Sequence, residues 1–172
     1  MTTKAKEQNI ELPILTTDGQ FLARYSEAGL CGLEFPSKAK RSQPKPTTNH
    51  MSPQVRRWHR AMTKALTGAL AGQAPTELPP LDFSSGTSFQ QSVWRTLLQI
   101  ASGQTWTYGQ VAHALGKPTA VRAVGGACGA NPISVLVPCH RALAANHRLG
   151  GFSGDLNWKR TLLKREGAKF VG

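Results

Sequence analysis

The sequence predicts an α+β chain in two unequal parts: a small N-terminal antiparallel β-sheet unit with one helix, then a mainly helical C-terminal unit containing a helix-turn-helix. Three observations predict it. Apolar residues alternate at period two between turn residues over 9–35, the spacing becomes helical from residue 54, and two short helical segments meet at Gly116. At 172 residues the chain is long enough for one well-buried core or two small ones. The composition shift sets the boundary between an N-terminal unit, 1–84, and a C-terminal unit, 85–172.

The elements follow in order. An apolar run over 10–15, the turn Asp18-Gly19, then Phe21, Ala23 and Tyr25, a second turn at Ala28-Gly29 and a last run over 30–35 read as three short strands. Cys31 falls inside the last strand, where packing is the expected role. Residues 36–53 hold four prolines and four Lys or Arg without apolar periodicity, a basic loop. Val55, Trp58, Met62, Leu66 and Leu70 then recur at helical spacing, with Arg56, Arg57, Arg60 and Lys64 elsewhere on the same helix. A solvated face is the plain reading of those charges. Residues 71–87, with Pro75, Pro79, Pro80 and Gly86, read as a linker.

The second unit opens with Ser88-Phe-Gln-Gln91, a capping-box pattern ahead of Val93, Trp94, Leu97 and Ile100. Thr107-Tyr108-Gly-Gln110 repeats the pattern before Val111, Ala114 and Leu115, and Gly116-Lys117-Pro118 ends that segment. A further helix over 119–129 is expected to turn Val121, Val124 and Cys128 inward and Arg122, Ala123, Gly126 and Gly129 outward. The pair is the helix-turn-helix candidate. Gly125, Gly126 and Gly129 each weaken a helix by roughly 1 kcal/mol relative to alanine. Close approach accounts for them, either of another helix or of a DNA groove with Arg122 projecting into it; groove dimensions alone leave both grooves open. After Asn131-Pro132, residues 133–137 read as a short buried strand. A glycine-rich loop and a last helix over 155–166 follow, with Leu156, Leu162 and Leu163 as apolar contacts, Glu166 at its end and Gly167 as its stop.

Charge narrows the partner. Lys plus Arg number 21 against 9 Asp plus Glu, a net of +12. Residues 85–172 carry 10 basic side chains but only Asp155 and Glu166 as acids, a net of +8. A nearly acid-free basic surface favours an anionic partner, nucleic acid above all. Three cysteines without CxxC or HExxH spacing give no disulfide framework and no zinc site, so neither metal nor cofactor is expected. The start lacks the apolar stretch of a signal peptide and no run of about 18 apolar residues occurs, so the expectation is a soluble intracellular monomer, in cytoplasm and nucleoid or in a nucleus.

The chemistry centres on Pro138-Cys139-His140-Arg141. A free thiol has a pKa near ~8.5, and a neighbouring imidazole or fixed positive charge raises its thiolate fraction. Taken alone, Cys139 reads equally as a buried apolar residue, since adjacency in sequence does not put side chains in contact.

The series Thr107-Tyr108-Gly, Arg122-Ala-Val-Gly-Gly-Ala, Asn131-Pro132, Pro138-Cys-His-Arg141, Gly150-Gly-Phe-Ser-Gly154, Lys159, Leu162-Leu163 and Glu166-Gly167 resembles the O6-alkylguanine-DNA alkyltransferases over about residues 87–167. Single-turnover DNA repair is what the resemblance implies. An alkyl group would pass from O6 of guanine in duplex DNA, with O4-alkylthymine a second candidate substrate, to Cys139. The first unit would be a ribonuclease H-like sheet. His140 would accept the thiol proton through water, Glu166 would orient the imidazole, and Asn131 would tie the helix-turn-helix to the active-site segment. Arg122 would fill the stack vacated by a flipped nucleotide, Tyr108 would crowd the phosphate, and Thr107, Ala123, Gly126 and Gly129 would face the minor groove. Tyr108, Val137, Pro138, Phe152, Ser153 and Lys159 would line the pocket. Phe152 stands where the family often has tyrosine, so its wall is apolar without a hydroxyl, and Asp155 stands where glycine is common. The competing readings are a lesion-binding sensor or regulator of the same fold, and a thiol hydrolase of small molecules.

Overall fold

The structure, a computed structural model, describes residues 9–37, 51–152 and 154–172. Most of the basic loop, and Ser153, lie outside the described residues. Strands β1 (Ile10–Thr16), β2 (Gly19–Tyr25) and β3 (Leu30–Glu34) form an antiparallel meander in the order β1-β2-β3. The period-two pattern sets its register, with Leu12 opposite Ala23 and Ile14 opposite Phe21, so that Leu12, Ile14, Phe21, Ala23 and Tyr25 are all buried. On β2, Arg24 spans the sheet to Glu11 at 3.0 Å and Glu34 at 2.6 Å.

Helix α1 (Pro53–Leu70) starts where Ser52 accepts a hydrogen bond from the Val55 amide and proline occupies the first helical position. It buries Val55, Met62, Ala65, Leu66, Ala69 and Leu70, and its His59 Nδ1 lies 3.0 Å from the Tyr25 hydroxyl of β2. The connecting segment is laid against the sheet. Leu30 N donates to Pro80 O, Asp82 N donates to Leu30 O, and Leu33 N donates to Pro132 O, so β3 is bonded to chain from the C-terminal half.

Helix α2 (Ser88–Leu97) is capped by Thr87 rather than Ser88, one residue earlier than the spacing suggested. Thr87 and Gln90 make both halves of the box, at 2.9 and 3.2 Å, while Gln91 is occupied by the Gly86 carbonyl. A two-residue strand β4 (Trp106–Thr107) pairs in parallel with β5 (Ala142–Leu143), and Thr107 caps α3 (Tyr108–Ala114) with Gln110 as read. Helix α4 (Val121–Gly129) buries Val124, Ala127 and Cys128, and the Trp94 indole of α2 donates to its Ala127 carbonyl at 2.8 Å. Val121, expected inward, is 39% exposed because the buried stripe begins only at Val124.

Residues 133–137 are not a strand. They fold as a compact turn in which Val137 N donates to Ile133 O, and Val135 takes a φ of 75°. A β-branched residue in that region costs on the order of 1–2 kcal/mol. All five side chains are buried, and an apolar run by itself cannot distinguish a buried strand from another buried conformation. Helix α5 (Leu156–Arg165) begins at Asp155, whose carboxylate accepts the Asn157 amide, and ends at Gly167 with φ 68°. Leu162 and Leu163 are buried, but Leu156 is 40% exposed at the first helical position. No described helix is long and apolar enough to cross a membrane.

Candidate active site

Cys139 opens a single 3-10 turn, Cys139–Arg141, and is 1% exposed. Two anchors place it. The Asn131 side chain donates to Val137 O at 2.9 Å and accepts from Ile133 N at 3.0 Å, so the end of α4 is stapled to the turn that delivers the thiol. The Cys139 amide itself donates to Val137 O at 2.8 Å. Burial pushes the Cys139 thiol up, while hydrogen bonding to Asn131 and Ser134 and the charge of Lys159 act the other way. The resting sulfur is a thiol and needs a base.

His140 is the next residue in the chain and is equally buried. Its Nε2 lies 2.8 Å from Glu166 Oε1, and both side chains are buried. Arg141 holds the same carboxylate with two hydrogen bonds, Nε to Oε2 at 3.0 Å and Nη2 to Oε1 at 2.9 Å, and donates from Nη1 to Ile100 O at 2.6 Å. Burial alone would raise Glu166, but His140 and Arg141 outweigh it and hold the carboxyl at about 2. An ionised carboxylate only accepts, so the proton of a neutral His140 sits on Nε2 and Nδ1 keeps its lone pair. That Nδ1 is buried and has no hydrogen-bond partner among the described residues. Burial also lowers the imidazole pKa, which keeps the ring neutral and ready to accept a proton.

Lys159 of α5 is fully buried, with Nζ donating to Ala142 O at 2.8 Å and Gly151 O at 3.1 Å. Burial pulls its pKa down to about 8, which still leaves it mostly charged at neutral pH beside the two thiols, Cys139 and Cys128. Tyr108 donates its hydroxyl to Gly151 O at 3.2 Å, and Lys159 Nζ sits 5.8 Å from its ring centroid.

Three comparisons bear on this arrangement. Residues 88–168 match the profile described as 6-O-methylguanine DNA methyltransferase, DNA binding domain. The methylated-DNA–protein-cysteine methyltransferase of Mycobacterium bovis is 42% identical over 121 residues, 70% of this chain and 72% of that protein. The chain belongs to the methylated-DNA–protein-cysteine methyltransferase family. The Haemophilus influenzae protein of the same name is 49% identical over 86 residues, 50% of this chain and 48% of its own length, so against that relative the match spans about half of each protein. The structure of Mycobacterium tuberculosis OGT in complex with DNA superposes with a TM-score of 0.72 at 34% identity, covering 90% of this chain and 91% of that one. The mixed architecture, a small three-stranded antiparallel sheet with several helices, is that of this methyltransferase family.

The structure brings Asn131, Val137, Pro138, Cys139, His140, Glu166 and Lys159 to one buried cluster, with Tyr108 half-buried at its edge. Thr107 caps α3, and its Oγ1 accepts the Gln110 amide. Arg122, Ala123, Gly126 and Gly129 lie exposed on α4, apart from that cluster. A Cβ added at Gly126 or Gly129 would meet nothing within 4 Å, whereas one at Gly125 would lie 3.7 Å from the Tyr108 ring. Phe152 is half-buried, its ring centroid 5.8 Å from that of Phe35.

The sequence assigned Arg141 no carboxylate partner and Cys128 only an inward position on its helix, which it occupies. Arg141 carries the carboxylate clamp, and the one signal that could have suggested it is that residues 85–172 offer only two acids as partners. Cys128 is buried near Cys139 and Lys159, and burial raises its own thiol to about 12.

Proposed function

We propose that the chain is a DNA repair protein that moves a methyl or larger alkyl group from O6 of guanine, and from O4 of thymine, in duplex DNA onto Cys139 and is consumed by doing so. The observation that carries this reading is the buried chain His140, Glu166, Arg141, with one imidazole nitrogen left over, directly after a buried Cys139. In the step itself the Cys139 Sγ–carbon bond forms as the carbon–O6 bond breaks, and the bonding electron pair stays with the guanine oxygen. The thiol proton passes by way of His140 Nδ1, relayed through water, and one proton returns to the base to leave neutral guanine. Glu166, fixed by Arg141, stabilises the imidazolium in between. No cofactor is required. The product is a thioether, which lacks the carbonyl carbon that lets an acyl-thiol be hydrolysed, so one molecule repairs one lesion.

DNA recognition is read from α3 and α4, taken as a helix-turn-helix. The exposed face of α4 bears Arg122, Ala123, Gly126 and Gly129, small residues around one long cation, which suits insertion into the minor groove. An alkylated guanine within a duplex is out of reach of a buried thiol, so the nucleotide is flipped, at a cost of a few kcal/mol that poor pairing of the lesion reduces. Arg122 fills the gap and Tyr108 crowds the phosphate. The flipped base lies against Tyr108, Val137, Pro138, Phe152, Ser153 and Lys159. The relative's solved complex with DNA supports this partner. Residues 85–172 would be the unit that binds DNA and transfers the group, and residues 1–84, with their sheet backed by α1, a ribonuclease H-like unit, in a protein that acts as an intracellular monomer.

The test is to incubate the protein with duplex carrying one O6-methylguanine and measure the base content of the DNA. Guanine should be restored in an amount equal to the protein added. Bound but unrepaired lesion would leave a sensor, and restoration beyond one per protein would leave a turnover enzyme.

A further inference from the structure

Gly150 takes a φ of 64°, and Gly151 and Gly154, on either side of Phe152, lack the Cβ that narrows the backbone choice of other residues. Two sets of contacts hold this loop. On the Cys139 side, Gly151 O accepts from Tyr108 and Lys159. Those bonds fix the backbone at one point and leave the Phe152 side chain unspecified. The Phe152 ring is set instead by Phe35, the residue that follows β3, at 5.8 Å between centroids and 66° between planes. Phe35 is in turn packed on Trp158 of α5 at 5.0 Å and on Phe21 of β2 at 5.7 Å, and Phe21 meets Trp158 edge-on at 5.6 Å. A Cβ at Gly154 would come within 3.1 Å of both Phe35 and Phe152, so the loop lies close on this cluster.

We propose that Phe35 is a positioning residue for the transfer reaction: by bracing Phe152 from the N-terminal sheet it sets the room left for the alkyl group beside Cys139. The proposal rests on the reading of Phe152 as a wall of the base pocket. The edge-to-face geometry gives the brace direction as well as bulk, since aromatic pairs at these separations favour tilted over parallel rings. With the brace intact, Phe152 holds a narrow pocket suited to a methyl group. Without it, the glycine loop lets Phe152 swing away, and a larger group gains relative to a small one.

The experiment compares transfer from O6-methylguanine and O6-benzylguanine, each in the same duplex, for the wild type, Phe35→Ala, Phe35→Leu and Phe35→Tyr. The benzyl-to-methyl rate ratio should rise by about tenfold in Phe35→Ala, the lower scale of discrimination by a single apolar pocket contact, and less in Phe35→Leu. Phe35→Tyr, which keeps the ring, should stay near the wild-type ratio. Leu12→Ala weakens the same sheet without touching Phe152 and should leave the ratio unchanged at a comparable loss of Tm. Should Phe35→Ala fail to fold, Phe35→Leu keeps the apolar volume and carries the test. An unchanged ratio in folded Phe35 variants, or an equal shift in Leu12→Ala, overturns the brace while repair by the wild type stands. Absence of transfer by the wild type removes the repair reading itself.

Discussion

The carboxylate of Glu166 is the residue on which the site's electrostatics turn. Its folded pKa of about 2 lies below the value of an exposed glutamate, so the unfolded state binds more protons as pH falls. The stability it contributes is complete above about pH 4.5 and is lost as pH drops towards 2. His140 acts in the same direction from a higher starting point: its pKa is lowered, so below about pH 6.5 the unfolded imidazole takes up a proton that the folded one refuses. Urea unfolding between pH 7 and pH 4 should therefore show a midpoint that falls steadily, and His140→Gln should flatten the upper part of that fall. Arg141→Ala leaves a buried carboxylate short of its clamp and should cost about 3–5 kcal/mol in the same assay. Cys139, His140 and Glu166 were singled out by the family resemblance of the series that holds them, because adjacency alone left Cys139 open to a packing role. The Arg141 clamp was not legible, because it joins residues 25 positions apart through a tertiary contact.

At the scale of elements, α4 separates fold from function. Gly126 is exposed, sits inside α4 and has open space where a side chain would go, so Gly126→Leu should leave stability unchanged or raise it by up to about 1 kcal/mol of helix propensity. The same substitution should weaken duplex binding by at least about tenfold if the smooth face enters a groove, measured by fluorescence anisotropy. Arg122→Ala should slow repair of duplex more than reaction with free O6-benzylguanine, since only the duplex needs the stack to be filled. The strands and long helices were readable because their periods of two and 3.6 are strict, and Thr107 with Gln110 was readable as a cap. Residues 133–137 were not. Four apolar residues and Ser134, all buried, carry no period, and what folds them into a turn is the Asn131 side chain supplying hydrogen bonds that a strand partner would otherwise give. The cap of α2 moved by one residue because Thr87 and Ser88 offer the same chemistry in adjacent registers.

Over the whole molecule, charge and long-range pairing decide what the elements can do together. A net of +12 predicts duplex affinity that falls steeply as salt rises, through counterion release, and a flat salt response would remove the phosphate contacts from the account. The pairing of β3 with residues 80–82 and 132, and the two-residue parallel pairing of β4 with β5, left no local trace because neither partner is set by neighbouring sequence. Arg165 reaches Asp18 in the β1–β2 turn with two bonds of 2.7 and 2.8 Å, one residue before Glu166, and so ties the N-terminal sheet to the end of the helix that carries the site. The most direct test of consumable transfer is the mass of intact protein and of its peptides after reaction with an excess of O6-methylguanine duplex. One methyl group per molecule, on the peptide bearing Cys139 and on no other, with no further repair afterwards, is the result the account predicts. An unmodified Cys139 in protein that has restored guanine would contradict it.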